Sequence, residues 1–154
     1  MAMENVLVIG IGNAYRRDDS VGLVVARRLK ERTQAPIKIL EHGGEGADLM
    51  ETWKDARTVI LIDAAHSGAE PGTIHRIDCS LQPLPRSMFG DSTHAFSVAE
   101  AIELSRVLGR LPSQLIMFGV EGADYMLGTG LSLPVRRAVP QVVEAVLEEI
   151  GRKK

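Results

Sequence analysis

The chain has 154 residues, within the usual size of one folded domain and long enough to bury a core, so a single domain over residues 1–154 is expected. Hydrophobic residues make up 45% and charged residues 25%, ordinary globular proportions that exclude a disordered or collagen-like chain. Eighteen Lys and Arg against twenty Asp and Glu leave a net charge of -2, so no global basic field exists to hold nucleic acid or an anionic membrane.

The lone cysteine, Cys79, can form neither an internal disulfide nor a thiolate zinc cage. A reducing compartment, the cytoplasm, is therefore expected. The apolar run that starts at Val6 is too short for a signal segment or a membrane span.

Val6 to Ile9 is a β-branched run closed by Gly10-Ile11-Gly12-Asn13, the pattern of a buried strand entering a tight turn. From Ser20, the positions Val21, Val24, Val25 and Leu29 recur at helical spacing. Arg27, Arg28, Lys30, Glu31 and Arg32 fall on the opposite side. Pro36 breaks the chain; Ile37 to Leu40 predicts a second strand ending at Glu41-His42-Gly43-Gly44, and Ala47 to Trp53 a short helix. Thr58 to Ile62 is a third apolar strand, ending on Asp63.

After the turn signal Pro71-Gly72, the alternating Thr73 to Ile77 suggests a half-exposed edge strand that runs antiparallel. A Pro-containing loop from Ser80 to Ser92 leads to a helix from about Thr93 to Leu108, with Val98, Ala101, Ile102, Ser105 and Leu108 inward. Leu115 to Val120 is another buried strand. The last segment places Val135, Val139, Val142, Val146 and Ile150 on one stripe, and Pro140 inside it predicts a kink.

This alternation predicts an α/β fold, a three-layer αβα sandwich with a mainly parallel, mixed sheet and helices on both faces. Ligands in such folds bind beyond the carboxyl ends of the strands. Asp19 follows the first strand, Asp63 ends the third and His94 starts the helix after the long loop, so all three reach one rim. Taken singly, each has a plain reading: Asp19 as a helix-start charge, Asp63 as a turn residue, His94 as a surface residue near a cap. Together they form an O,O,N set suited to a borderline divalent metal, with positions left open for substrate or water.

The run Gly10-Ile11-Gly12-Asn13-Ala14-Tyr15-Arg16-Arg17-Asp18-Asp19-Ser20-Val21-Gly22 resembles the N-terminal signature of the hydrogenase maturation proteases. In that signature a Gly-x-Gly-Asn turn precedes an acidic pair and a Val/Ile-Gly step. Asp63 in Ile60-Leu61-Ile62-Asp63-Ala64 is similar to the family's strand-terminal aspartate. Ser92-Thr93-His94-Ala95-Phe96 followed by Ala99-Glu100-Ala101-Ile102 resembles the helix that carries its histidine, and the Gly-rich stretch Glu121 to Leu133 completes a likeness over nearly the whole chain. The pair is Asp-Asp where some members have Asp-Glu, and Ser20 stands where Gly or Ala is commoner.

The resemblance implies an endopeptidase of aspartic or metallo type, which removes the C-terminal extension of the nickel-loaded large-subunit precursor of a nickel–iron hydrogenase. It implies catalytic and nickel-recognising roles for Asp19, Asp63 and His94. The expected nickel is supplied by the precursor and held weakly by the free enzyme, which is expected to be a monomer.

Glu41, His42, Gly43 and Gly44 end the second strand beside this rim and are candidates for binding the substrate peptide; a turn that needs φ > 0 is the plain alternative. His66 is a reserve ligand, since it follows Asp63 by three, and His75 is read as a surface residue. Gly10-Ile11-Gly12 mimics a dinucleotide fingerprint, with Glu41 as the ribose acid, but Tyr15 replaces the third glycine and the acidic pair repels a pyrophosphate. Cys79 has no accompanying oxyanion motif, and Ser67 lacks the Gly-x-Ser-x-Gly elbow. Three classes stay open: the processing endopeptidase, a nickel-sensing module without peptidase activity, and a nucleotide-binding α/β protein.

Overall fold

A computed structural model describes residues 6–33, 36–89 and 96–152. Five strands, β1 (Val6–Ile11), β2 (Lys38–His42), β3 (Thr58–Ala65), β4 (Ile74–Asp78) and β5 (Gln114–Glu121), alternate with four helices, α1 (Val21–Arg32), α2 (Gly46–Trp53), α3 (Val98–Val107) and α4 (Leu133–Gly151). The sheet order is β2-β1-β3-β5-β4. β1 pairs in parallel with β2 and β3, and β3 with β5; edge strand β4 runs antiparallel to β5.

The period of two along each strand sends alternate side chains to opposite layers. Val6, Val8, Ile60, Ile62, Ile116 and Phe118 pack with the inner stripes of α1 and α4. Leu7, Ile9, Val59, Leu61, Leu115 and Met117 pack with Leu49 and Trp53 of α2 and Ala101 and Ile102 of α3. The central strands are buried on both faces, so their sequences are continuous apolar runs. The structure is the predicted three-layer αβα sandwich. Among the described residues, no helix is long and apolar enough to cross a membrane.

Several boundaries differ from the sequence expectation. β3 continues to Ala65, so Asp63 lies inside the strand rather than at its end. Its N–H and C=O remain in register beside Gly119 of β5, and the ladder outweighs the poor strand propensity of aspartate. α3 starts at Val98, not Thr93, because Ser97 and Glu100 form a capping box; His94 therefore does not start the helix, and it lies outside the described residues. Leu108 is 51% exposed, since the helix ends at Val107 before another inward turn. α4 runs continuously through Pro140, which lies on the exposed face; there water can satisfy the carbonyl that loses its partner.

The sheet order contains a switch. From β1 the chain moves outward to β2, then returns to β3 on the other side of β1, leaving a crevice at the carboxyl ends of β1 and β3. The start of α1 closes tightly on that crevice. A Cβ on Gly22 would lie 2.3 Å from the carbonyl oxygens of both Ile11 and Ile62, and one on Gly12 would lie 2.1 Å from that of Asp19. Glycine at these positions lets the backbone of the β1–α1 connection reach β3. Gly22→Ala is expected to destabilise the chain by about 2–3 kcal/mol or more, read as a lower urea midpoint at unchanged m-value.

Candidate active site

The residues between β1 and α1 form a 3-10 turn over Arg17–Ser20. Its two aspartates part ways. Asp18 is fully buried, and its carboxylate accepts bonds from the N–H groups of Ala123 (2.8 Å), Asp124 (2.9 Å) and Ser132 (2.7 Å) and from the Ser132 hydroxyl (2.7 Å). Burial pushes the Asp18 carboxyl up, but these bonds together outweigh it and hold the group below the ordinary carboxylate range.

Asp19 is partly exposed, and its charge acts on Asp63 of β3. Its Oδ2 accepts from the Asn13 N–H at 3.0 Å. Burial raises its pKa, opposed by that bond and by the nearby charges of His66 and Arg16. Asp63 shares its strand face with Val59 and Leu61 by the pleat, and its Oδ1 accepts from the Ala64 N–H at 2.8 Å. Burial drives the Asp63 carboxyl well above the ordinary value, the negative charge of Asp19 adds to the effect, and the Ala64 bond opposes it. Two carboxylates thus face one crevice, each held by a backbone N–H, and they repel one another. Such a pair takes up a proton or a cation.

Among the described residues, no group of three or more His, Cys, Asp or Glu side chains is arranged to hold a metal ion. The charge of Asp19 acts on Asp63, while His94 is outside the described residues. His66 faces the same corner and stacks on Tyr125 with ring centroids 4.0 Å apart. The Tyr125 hydroxyl donates to the Ala65 carbonyl at 2.7 Å and accepts from the Gly122 N–H at 3.0 Å.

The segment Glu41 to Gly44 adjoins the crevice, since the Gly12 N–H donates to the His42 carbonyl at 3.0 Å. Its side chains are engaged within the fold. Glu41 accepts both Nε (3.0 Å) and a terminal nitrogen (2.9 Å) of Arg27. His42 Nδ1 accepts from the Gly44 N–H at 2.8 Å, which puts the proton on Nε2, 2.6 Å from the Asp48 carboxylate. Gly44 has φ 96°, the left-handed turn that was the plain alternative. A Cβ on Gly43 would meet nothing within 4 Å, so the space in front of its Cα is clear.

The other candidates fall into structural roles. Cys79 is fully buried, and burial pushes its thiol up to about 12, which removes the thiolate a nucleophile needs. The Ser67 hydroxyl donates to the buried Glu121 carboxylate at 2.6 Å, and His75 Nε2 lies 3.1 Å from the same oxygen. The space in front of Gly12 is filled by the Asp19 carbonyl, an acceptor that repels a phosphate. No sequence signal marked Asp18 as the buried partner of the Gly-rich loop, because its donors lie more than a hundred residues away, at separations of 105 to 114.

The fold is an α/β sandwich with two carboxyls, Asp19 and Asp63, near the carboxyl ends of β1 and β3. The sequence matches the profile of the hydrogenase maturation proteases over residues 23–149, and the chain belongs to that family. It is 26% identical to the hydrogenase expression/formation protein HoxM of Azotobacter vinelandii over 99% of this chain and 75% of that one. The hydrogenase maturating endopeptidase HybD from E. coli superposes with a TM-score of 0.82 at 23% identity, covering 96% of this chain and 93% of that one. The nickel–iron hydrogenase maturation protease HycI from Thermococcus kodakarensis gives 0.74 at 26% identity, over 96% and 93%.

Asp18 carries a pH signature. Its folded pKa lies below the ordinary aspartate value, so its contribution to stability is present above that value and is lost as pH falls through the folded pKa. Asp18→Asn must turn an amide toward the same donors. It is expected to cost about 2–4 kcal/mol at pH 7 in urea unfolding, with the gap to the parent chain narrowing in acid; a gap of constant size would show that the charge contributes nothing.

Proposed function

We propose that this chain is the endopeptidase that removes the C-terminal extension of a nickel-loaded large-subunit precursor of a nickel–iron hydrogenase, with Asp19, Asp63 and His94 meeting the nickel. The observation that carries this reading is the repelling pair at the crevice, where burial and the charge of Asp19 raise Asp63 well above an ordinary carboxyl. A pair of neighbouring, partly desolvated carboxyls of this kind suits an arriving dication better than it suits the free chain. Phe96, two residues after His94, is fixed at the start of α2, where its carbonyl accepts from the Gly46 N–H at 2.9 Å.

The nickel belongs to the client and arrives with it. Free enzyme holds the ion weakly, because two carboxylates and one imidazole leave coordination positions to the client's own ligands. The Asn13 and Ala64 N–H groups orient one oxygen of each carboxylate. Burial and the charge of Asp19 disfavour the ionised form of Asp63, and positive charge brought by the client would favour it.

Incubation with a nickel-loaded precursor and mass analysis of the product tests the reading. Asp19→Asn, Asp63→Asn and His94→Ala are each expected to lower processing by roughly 100-fold or more, as loss of a metal contact does. Cys79→Ser retains cleavage. Because the raised pKa of Asp63 weakens the fold above its unfolded value, Asp63→Asn should melt at or above the parent temperature at pH 7. Normal processing by the His94 variant, or binding of the loaded precursor by the parent chain without any cleavage, would contradict the proposal.

A further inference from the structure

Three large apolar side chains stand in water on the segments joined to the Asp19 turn: Tyr15 at 70% exposure, Met126 at 72% and Leu127 at 71%. They sit on two segments bonded to one another. The Gly128 N–H donates to the Tyr15 carbonyl at 2.9 Å, the Arg17 N–H donates to the Gly128 carbonyl at 3.2 Å, and Arg16 and Gly128 form a parallel bridge. The buried Asp18 carboxylate joins the same segments through Ala123, Asp124 and Ser132. These side chains are therefore displayed on a fixed platform, and their exposure does not come from a loosely hanging loop.

The platform is continuous with the site. The Tyr15 N–H donates to Asn13 Oδ1 at 2.9 Å, and the Asn13 N–H donates to Asp19 Oδ2 at 3.0 Å. An enzyme that trims the tail of a folded protein must bring the body of that protein against the surface around its crevice. Apolar groups held rigidly at such a rim are the kind that protein partners cover, with Tyr and Met enriched among them. We propose that Tyr15, Met126 and Leu127 form the docking rim for the client, receiving an apolar surface of its folded body next to the tail. This inference rests on the reading of the chain as a processing endopeptidase.

Steady-state processing of the nickel-loaded precursor tests it, using the full chain and two variants, the double substitution Met126→Ser with Leu127→Ser, and Tyr15→Ser. All three positions are exposed, so both variants should keep the parent's circular dichroism and melting temperature. Each is expected to raise KM about tenfold while kcat stays within about twofold, the split produced by loss of binding distant from the reacting bond. The parent and the variants should sediment alike as one species. An unchanged KM in variants of an active parent would overturn the rim alone. So would a parent dimer that the double variant dissolves, since the rim would then serve a second copy of this chain. A parent that leaves the precursor uncut would overturn the functional reading and the rim together.

Discussion

The site end of this molecule depends on one buried anion. Asp18 has no solvent exposure, and a carboxylate in that position is tolerable only when its oxygens are saturated. Four donors from residues 123, 124 and 132 meet that need. In doing so they tie the Gly-rich segment after β5 to the turn after β1. Tyr125, on the same segment, then bridges Gly122 and Ala65 and stacks on His66. The carboxyl ends of β1, β3 and β5 are thus locked into one rim, and the direction of Asp19 is fixed by the turn that Asp18 anchors.

Adjacent and identical in type, Asp18 and Asp19 have opposite electrostatic fates. Asp18 is surrounded by N–H donors and is held below the ordinary carboxylate range. Asp19 takes one backbone bond and burial moves its pKa upward; burial and the charge of Asp19 raise Asp63. The difference lies in the number of donors each anion receives, the same environmental division of labour that separates paired carboxylates in many active sites. A fold that spends its donors on Asp18 leaves the pair of Asp19 and Asp63 in need of a counter-charge from outside.

Much of this architecture was legible in the sequence. The apolar runs of β1, β3 and β5, the stripe of α4 and the alternation of β4 gave the layers and the antiparallel edge, because burial on one or two faces writes itself into residue periodicity. The strand-end rule singled out Asp19 and Asp63, and the charge of Asp19 acts on Asp63. Helix α3 was placed too early because the Ser97 to Glu100 capping box is a stronger start signal than the residues before it. Asp63 was placed at a strand end because a charged residue looks like punctuation. The role of Asp18 was not legible, since it depends on donors brought close only by the completed sheet. Glu41 and His42 looked available for a ligand, yet their partners Arg27 and Asp48 lie on flanking helices, and pairings of that kind carry no local pattern.

The central claim is that the client's nickel lies between Asp19, Asp63 and His94. The most direct measurement is anomalous diffraction at the nickel edge from crystals of the uncleaved nickel-loaded precursor bound to the Asp63→Asn chain, with a parallel data set from the parent chain soaked in nickel. The account predicts one peak in the soaked parent within about 2.2 Å of a carboxylate oxygen of both Asp19 and Asp63 and of a ring nitrogen of His94. In the complex it predicts the client's nickel at the same crevice, still within reach of Asp19 and His94. Nickel bound at His42 and Asp48, or a client whose nickel lies away from the crevice, would contradict it.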